Sequence, residues 1–233
     1  MSERFFITTQ PAGDRAVLEG DEARHLTRVL RAKVGDTVSL FDGTGREWPA
    51  RVASLGRDRV ELDTTEPTVD PVPIAIPLTL AVALPKGDRQ KWMVEKLTEL
   101  GAARLVPLET TRGVAEATAS AQARLERVVI EACKQCGRNT LMEIAAGHPL
   151  ERLLAEVPAG GCVVIAHPGG RSLDVAAIPT TATEIIALVG PEGGFTDEEL
   201  GVADRAGVIR ISLGPHILRV ETAAIALAAR LVR

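Results

Sequence analysis

Two short apolar runs near the C-terminus each stop at Gly-Pro and open into a helical pattern. That pairing restricts the fold more than any other feature of the chain. The first run is Ile185-Ile186-Ala187-Leu188-Val189-Gly190-Pro191-Glu192-Gly193-Gly194-Phe195. The second is Ile209-Arg210-Ile211-Ser212-Leu213-Gly214-Pro215-His216-Ile217-Leu218-Arg219-Val220-Glu221-Thr222. Apolar strands alternating with helices predict a parallel sheet covered on both faces. Two strand ends that open into glycine turns build a pocket from backbone rather than from side chains. Main-chain N–H and C=O groups in such a pocket suit a flat, mostly neutral ligand such as a nucleoside.

The rest of the chain divides near residue 70. Before it, short alternating runs separated by turn residues predict a small β-barrel or sandwich: Phe5-Phe6-Ile7, Val38 to Phe41, Trp48 to Val52 and Val60 to Leu62. One helix interrupts them, from about Asp21 to Arg31, with Asp21 as its N-cap. Glu66 to Pro73 carries three prolines and is expected to be a semi-rigid linker. The domains are therefore expected at 1–70 and 74–233. In the second, strands are expected at Ile76–Leu84, Leu105–Leu108, Cys162–Ala166, Ile185–Val189 and Ile209–Leu213. Helices are expected at Asp88–Leu100, Ala119–Gly137 and Val220–Val232. Thr196-Asp197-Glu198-Glu199 is a capping box that starts another.

Composition excludes several classes. No apolar stretch is long enough for a membrane helix. The N-terminus lacks a signal-peptide pattern, and three cysteines argue against a disulfide framework, so a cytoplasmic location is expected. The net charge of −4 excludes bulk polyanion binding, and any nucleic-acid contact must come from a local basic patch. Tyrosine is absent and aromatics are scarce, which argues against base-stacking platforms. Cys133-x-x-Cys136 lies in a helical pattern with no second pair, so no metal site is expected there. Neither glycine turn has GxGxxG spacing or a phosphate-loop lysine, which removes the NAD and nucleoside-triphosphate readings.

Three groups remain to be placed. Arg219 sits where its charge is unfavourable, at the positive end of a helix. A cation there points to a ligand to hold or a carboxylate to pair with. Arg24, Arg28 and Arg31 share one face of the expected helix, and no acid lies between residues 24 and 33. With His25 and Lys33 they form either an ordinary solvated face or a phosphate-contacting stripe, which Arg4, Lys86, Arg89 and Lys91 would extend. His167, after the strand at 162–166, is either a satisfied loop histidine or a pocket wall.

The two glycine turns, together with Glu131-Ala132-Cys133-Lys134-Gln135-Cys136-Gly137-Arg138-Asn139, Lys96 to Gly101 and His25 to Arg31, resemble the ribosomal RNA small subunit methyltransferase E family. That family belongs to the SPOUT class of S-adenosylmethionine enzymes. The resemblance covers nearly the whole chain. It implies an α/β fold with a SPOUT-type parallel sheet and a C-terminal trefoil knot, an exception to the rule against threaded chains. It also implies a PUA-like N-terminal β-barrel that helps hold RNA. The implied activity is methylation of N3 of a uridine near the 3′ end of 16S rRNA, in the decoding region of the 30S subunit, by a homodimer. The donor pocket would comprise His167, Leu188, Val189, Gly190, Pro191, Glu192, Gly193, Leu213, Gly214, Ile217, Leu218 and Thr222. Arg219 would stabilise the uridine anion, and Glu221 would orient Arg219 or take the proton. Arg138 is a second catalytic candidate, in its own site or the partner subunit's. Two other activities stay open: a SPOUT ribose 2′-O-methyltransferase, and an rRNA-binding assembly factor without catalysis.

Overall fold

The computed structural model describes residues 3–69, 76–114, 118–172 and 178–232. Contacts divide the chain into two compact units, Met1–Pro73 with Ile130–Leu141, and Ile74–Val129 with Met142–Arg233. Residues 70–73 of the expected linker lie outside the described residues.

The first unit is built on β1 (Arg4–Phe6), β2 (Arg15–Glu19), α1 (Gly20–Arg24), β3 (Thr37–Phe41), β4 (Arg46–Leu55), β5 (Arg59–Thr64) and β6 (Thr68–Val69). Its sheet runs β1-β3-β4-β5-β2, with β6 on β4. Every pairing is antiparallel except β1 with β3. In β2 and β5 alternate residues turn inward, as the period of a one-sided strand requires. Phe5, Leu18, Leu26, Leu40, Trp48, Val52 and Leu62 form the core.

The helix expected from Asp21 to Arg31 is shorter and differently wound. α1 ends at Arg24, and His25–Val29 form a π-turn in which the Leu30 N–H donates to the His25 carbonyl. Arg31 closes the turn with φ of 53°. Asp21 is not the cap; Glu19 holds that position, without a side-chain bond. Thr27 Oγ1 donates to the Ala23 carbonyl at 2.8 Å, competing for an acceptor of the helical ladder.

Residues 130–141 join this unit through polar contacts remote in sequence. Arg4 donates to Glu47 Oε1 at 2.9 Å, to the Arg138 carbonyl and to Asn139 Oδ1, and lies over the Phe41 ring. Lys134 pairs with Glu22 and Glu131. The Arg4 side chain is only 9% exposed, which corrects its expected place on an RNA-facing track.

The second unit contains β7 (Leu78–Val82), α2 (Asp88–Glu99), β8 (Arg104–Glu109), α3 (Ala119–Cys136, whose last turns count with the first unit), β9 (Glu143–Ile144) and β10 (His148–Pro149). It continues with α4 (Leu150–Ala155), β11 (Gly161–Ser172), β12 (Glu184–Val189), α5 (Asp197–Arg205), β13 (Ile209–Ser212) and α6 (Val220–Leu231). The sheet is parallel, ordered β10-β8-β7-β12-β11-β13, with β9 on β8. All five residues of β7 are buried, as expected of a strand covered on both faces. Among the described residues no helix is long and apolar enough to cross a membrane. All three cysteines are free, and burial pushes the Cys133 thiol up to about 12, so it is not a nucleophile at neutral pH.

Candidate active site

A cavity of about 390 Å³ opens at the carboxyl ends of β11, β12 and β13, where an open parallel sheet characteristically binds its ligand. Three pieces of backbone wall it: residues 166–168, the first turn (189–195) and the second turn (212–218), with Val220 and Ala223 of α6 completing it.

The 166–168 wall comes from an irregularity in β11. Ala166 and Arg171 both register with Ile211, so residues 167–170 loop out of the ladder. This puts His167 and Pro168 on the cavity. His167 Nδ1 accepts from the Gly169 N–H at 3.0 Å, so the ring both caps the loop and faces the cavity. A Cβ on Gly170 would lie 2.5–2.7 Å from Ile211 backbone atoms, a contact no side chain tolerates. The detectable signal was Gly169-Gly170 directly after an apolar strand.

The first turn is braced from below. Phe195 folds under it, and a Cβ on Gly190 would meet the Phe195 ring at 2.7–3.2 Å. The smallness of Gly190 therefore admits Phe195 into the core, in addition to any close approach by a ligand. The Gly194 N–H donates to the Pro191 carbonyl at 2.8 Å, and Arg112 Nη1 donates to the Gly193 carbonyl at 2.7 Å. Thr196 and Glu199 form the reciprocal capping box of α5. Glu199 also accepts from the Thr111 N–H at 2.8 Å, tying the loop after β8 to the same turn.

Burial raises the Glu199 carboxyl, but the hydrogen bonds from Thr196 and Thr111 together outweigh it and hold the group below its ordinary range. A carboxyl lowered by folding stabilises above its unfolded value of 4.5 and loses that contribution as pH falls through the lower folded value. Glu199→Gln is therefore expected to cost about 1–2 kcal/mol near neutral pH. The melting temperatures of variant and wild type should converge in acid below that range. A gap that persists there would show that the charge is not the source.

The second turn depends on Gly214, which has a φ of 140° and only open space within 4 Å of the point a Cβ would occupy. Ser212 Oγ donates to the Gly214 carbonyl at 3.1 Å. Ile217, 88% exposed, stands at the mouth. Arg219 occupies the N-cap position of α6; its side chain makes no capping bond and is exposed.

Glu221 is buried in the first turn of α6. Its expected partner was Arg219, yet no ion pair joins the two among the described residues. The cation that reaches it is Arg89, 3.8 Å from Oε2. Arg89 in turn lies 3.5 Å from Glu192.

Most of the expected pocket residues line the cavity: His167, Val189 to Gly193, Leu213, Gly214, Ile217 and Leu218. Two do not. Leu188 is fully buried in β12, and Thr222 is exposed on α6 outside the lining. Arg138 lies off the lining, in the first unit. Ala166, Gly194, Phe195, Ser212, Val220 and Ala223 were missed; Val220 and Ala223, three residues apart, share one face of a helix.

The basic candidates separate. Arg24 pairs with Asp21 and lies 3.6 Å from Asp58, which is 3.9 Å from Arg28. These acids partly neutralise the stripe and were invisible within residues 24–33. His25 packs edge-on against Phe5. Arg31, Lys33, Lys86 and Lys91 are exposed, with no ion pair among the described residues. Among these residues no group of three or more His, Cys, Asp or Glu side chains is placed to hold a metal ion.

Two family models match the chain. Residues 72–232 match the family model of the RNA methyltransferase domain, and residues 18–64 match that of the RNA methyltransferase PUA domain. The ribosomal RNA small subunit methyltransferase E of Synechocystis sp. is 35% identical over 87% of this chain and 67% of its own length. That of Mycobacterium bovis is 33% identical over 94% of this chain and 87% of its own. A crystal structure of the Neisseria gonorrhoeae ribosomal RNA small subunit methyltransferase E bound to S-adenosyl methionine superposes with a TM-score of 0.90. It shares 30% sequence identity over 98% of this chain and 96% of that one.

Proposed function

We propose, from the premise that this chain belongs to the ribosomal RNA small subunit methyltransferase E family, that it methylates N3 of a uridine near the 3′ end of 16S rRNA, using S-adenosylmethionine. The observation that carries the proposal is the cavity built from two glycine turns and the β11 loop. Its size lies within the range of small-molecule sites, roughly 300–1,000 Å³. Its apolar walls and exposed main-chain groups suit an adenosine, and the open space at Gly214 lets a ligand approach the backbone.

Under this reading Val189 to Gly193 and Leu213 to Leu218 hold the adenosine, with Phe195 and Ala223 closing the apolar side. When bound, S-adenosylmethionine supplies a methyl group made electrophilic by its sulfonium. The neutral imide nitrogen of uridine is a poor nucleophile, so N3 must give up its proton, to water or to a carboxylate, as it attacks. Arg219 and the N-terminus of α6 present positive charge to the uridine oxygens on which the resulting anion is delocalised. Arg138, absent from the lining of the cavity, enters the proposal only through a second copy of the chain. The proposal also includes the trefoil knot in the C-terminal part of the second unit, a homodimer, a cytoplasmic location and a 30S substrate. Arg31, Lys33, Lys86 and Lys91 are the RNA contacts it favours, because their charged groups form no ion pair among the described residues.

The test is methyl transfer from labelled S-adenosylmethionine to 30S subunits lacking the modification, followed by mass spectrometry of the nucleosides. A 3-methyluridine product supports the proposal. A ribose-methylated product, or none, overturns it.

A further inference from the structure

Two walls of the cavity come together at a single guanidinium. Arg89, in the first turn of α2, lies 3.5 Å from Glu192 Oε1 and 3.8 Å from Glu221 Oε2. The Glu221 side chain is 6% exposed, and its Oε2 has no hydrogen-bond partner among the described residues. A buried carboxylate without a compensating charge is strongly unfavourable, and Arg89 is the cation the fold brings to it. Glu192 lines the cavity on the first turn, and Val220, the residue before Glu221, lines it on α6. Arg89 thus spans two walls from outside. Both contacts are made by one terminal nitrogen, Nη1, whose two N–H groups can be divided between the carboxylates. Both distances are longer than a formed N–H···O bond, so the link holds by charge with room to tighten.

We propose that Arg89 is a positioning residue of the donor cavity and not an RNA-phosphate contact. Through buried Glu221 and Glu192 it sets the spacing between α6 and the first turn. Two carboxylates beside Nη1 already offset the Arg89 charge, which weakens its attraction for a phosphate. The proposal rests on the donor-binding function above.

Calorimetry with S-adenosylmethionine, steady-state kinetics and a salt series of 30S binding test it on Arg89→Gln, Arg89→Lys, Glu192→Gln and the Arg89→Gln/Glu192→Gln pair. Arg89→Gln should weaken donor binding by about tenfold. It should raise the donor KM while kcat at saturation stays within about twofold. Arg89→Lys should recover part of the loss. The pair should bind no more weakly than Arg89→Gln alone, because the link is already broken. The salt slope of 30S binding should not change. If Arg89→Gln unfolds, Arg89→Gln/Glu221→Gln removes the stranded charge and should fold with the same donor defect. Wild-type donor affinity in Arg89→Gln, with the salt slope reduced by about one, overturns the role and assigns Arg89 to phosphate. Wild-type protein that binds no S-adenosylmethionine overturns the function and this role together.

Discussion

Arg219→Ala is expected to lower kcat by about 10²–10³-fold while donor affinity stays within about twofold of wild type. The expectation follows from where the residue sits. Arg219 is the N-cap residue of α6, but its side chain makes no capping hydrogen bond and no ion pair among the described residues. Its removal leaves no buried group unsatisfied, and α6 stays anchored by Val220, Ala224, Leu227 and Leu231 in the core. What is lost is positive charge on the residue between Leu218 and Val220, which both line the cavity, beside a helix N-terminus that already favours an anion. Single-turnover kinetics and donor calorimetry on the same preparation separate the two effects. Equal losses in rate and donor affinity would make Arg219 a binding residue and remove it from the chemistry.

Gly214→Val should reduce donor affinity by more than about 100-fold and leave a folded protein. A φ of 140° is one that a β-branched residue adopts only under strain. The second turn would have to rearrange to relieve that strain, and its backbone lines the cavity from Ser212 to Leu218. The sheet is less exposed to the change, because β13 ends at Ser212. Calorimetry with S-adenosylmethionine and a thermal melt decide it. Undiminished donor binding would put the donor outside the cavity defined by the two turns.

These two expectations draw on parts of the chain whose geometry is local. The capping box at Thr196 and Glu199 is legible because its two partners are three residues apart, and the structure forms it with both reciprocal bonds. The strand ends at Val189 and Ser212 are legible for the same reason: an apolar run followed by Gly-Pro has few local conformations. The helix at 21–31 fails the same logic. Its charges are periodic, but its winding follows the packing of Ala23 and Leu26 under the first sheet, and the ladder opens into a π-turn.

Long-range pairings were the hardest to anticipate. Arg4 looks like a free N-terminal cation until Glu47 and Asn139 are brought to it from 43 and 135 residues away. Arg28 looks unopposed until the loop before β5 supplies Asp58, which also reaches Arg24 beside its local partner Asp21. Glu221 looks like the partner of Arg219, two residues earlier. Helical residues two apart do not face each other, however, and Glu221, the second residue of α6, reaches Arg89 of α2 instead. Nor could a single break near residue 70 show that 130–141 packs with the first unit.

The amino-acid order by itself determined the α/β class of the second unit, the capping box that starts α5, and the two glycine turns that form most of the cavity. All of these rest on interactions between residues a few positions apart. The tertiary structure alone decided that the wall expected at His167 is a loop leaving the β11–β13 ladder, that Phe195 takes the room at Gly190, and which distant counter-ion each long-range charged pair uses. Those outcomes depend on which distant segments the sheet order places side by side, and a local pattern carries no record of that.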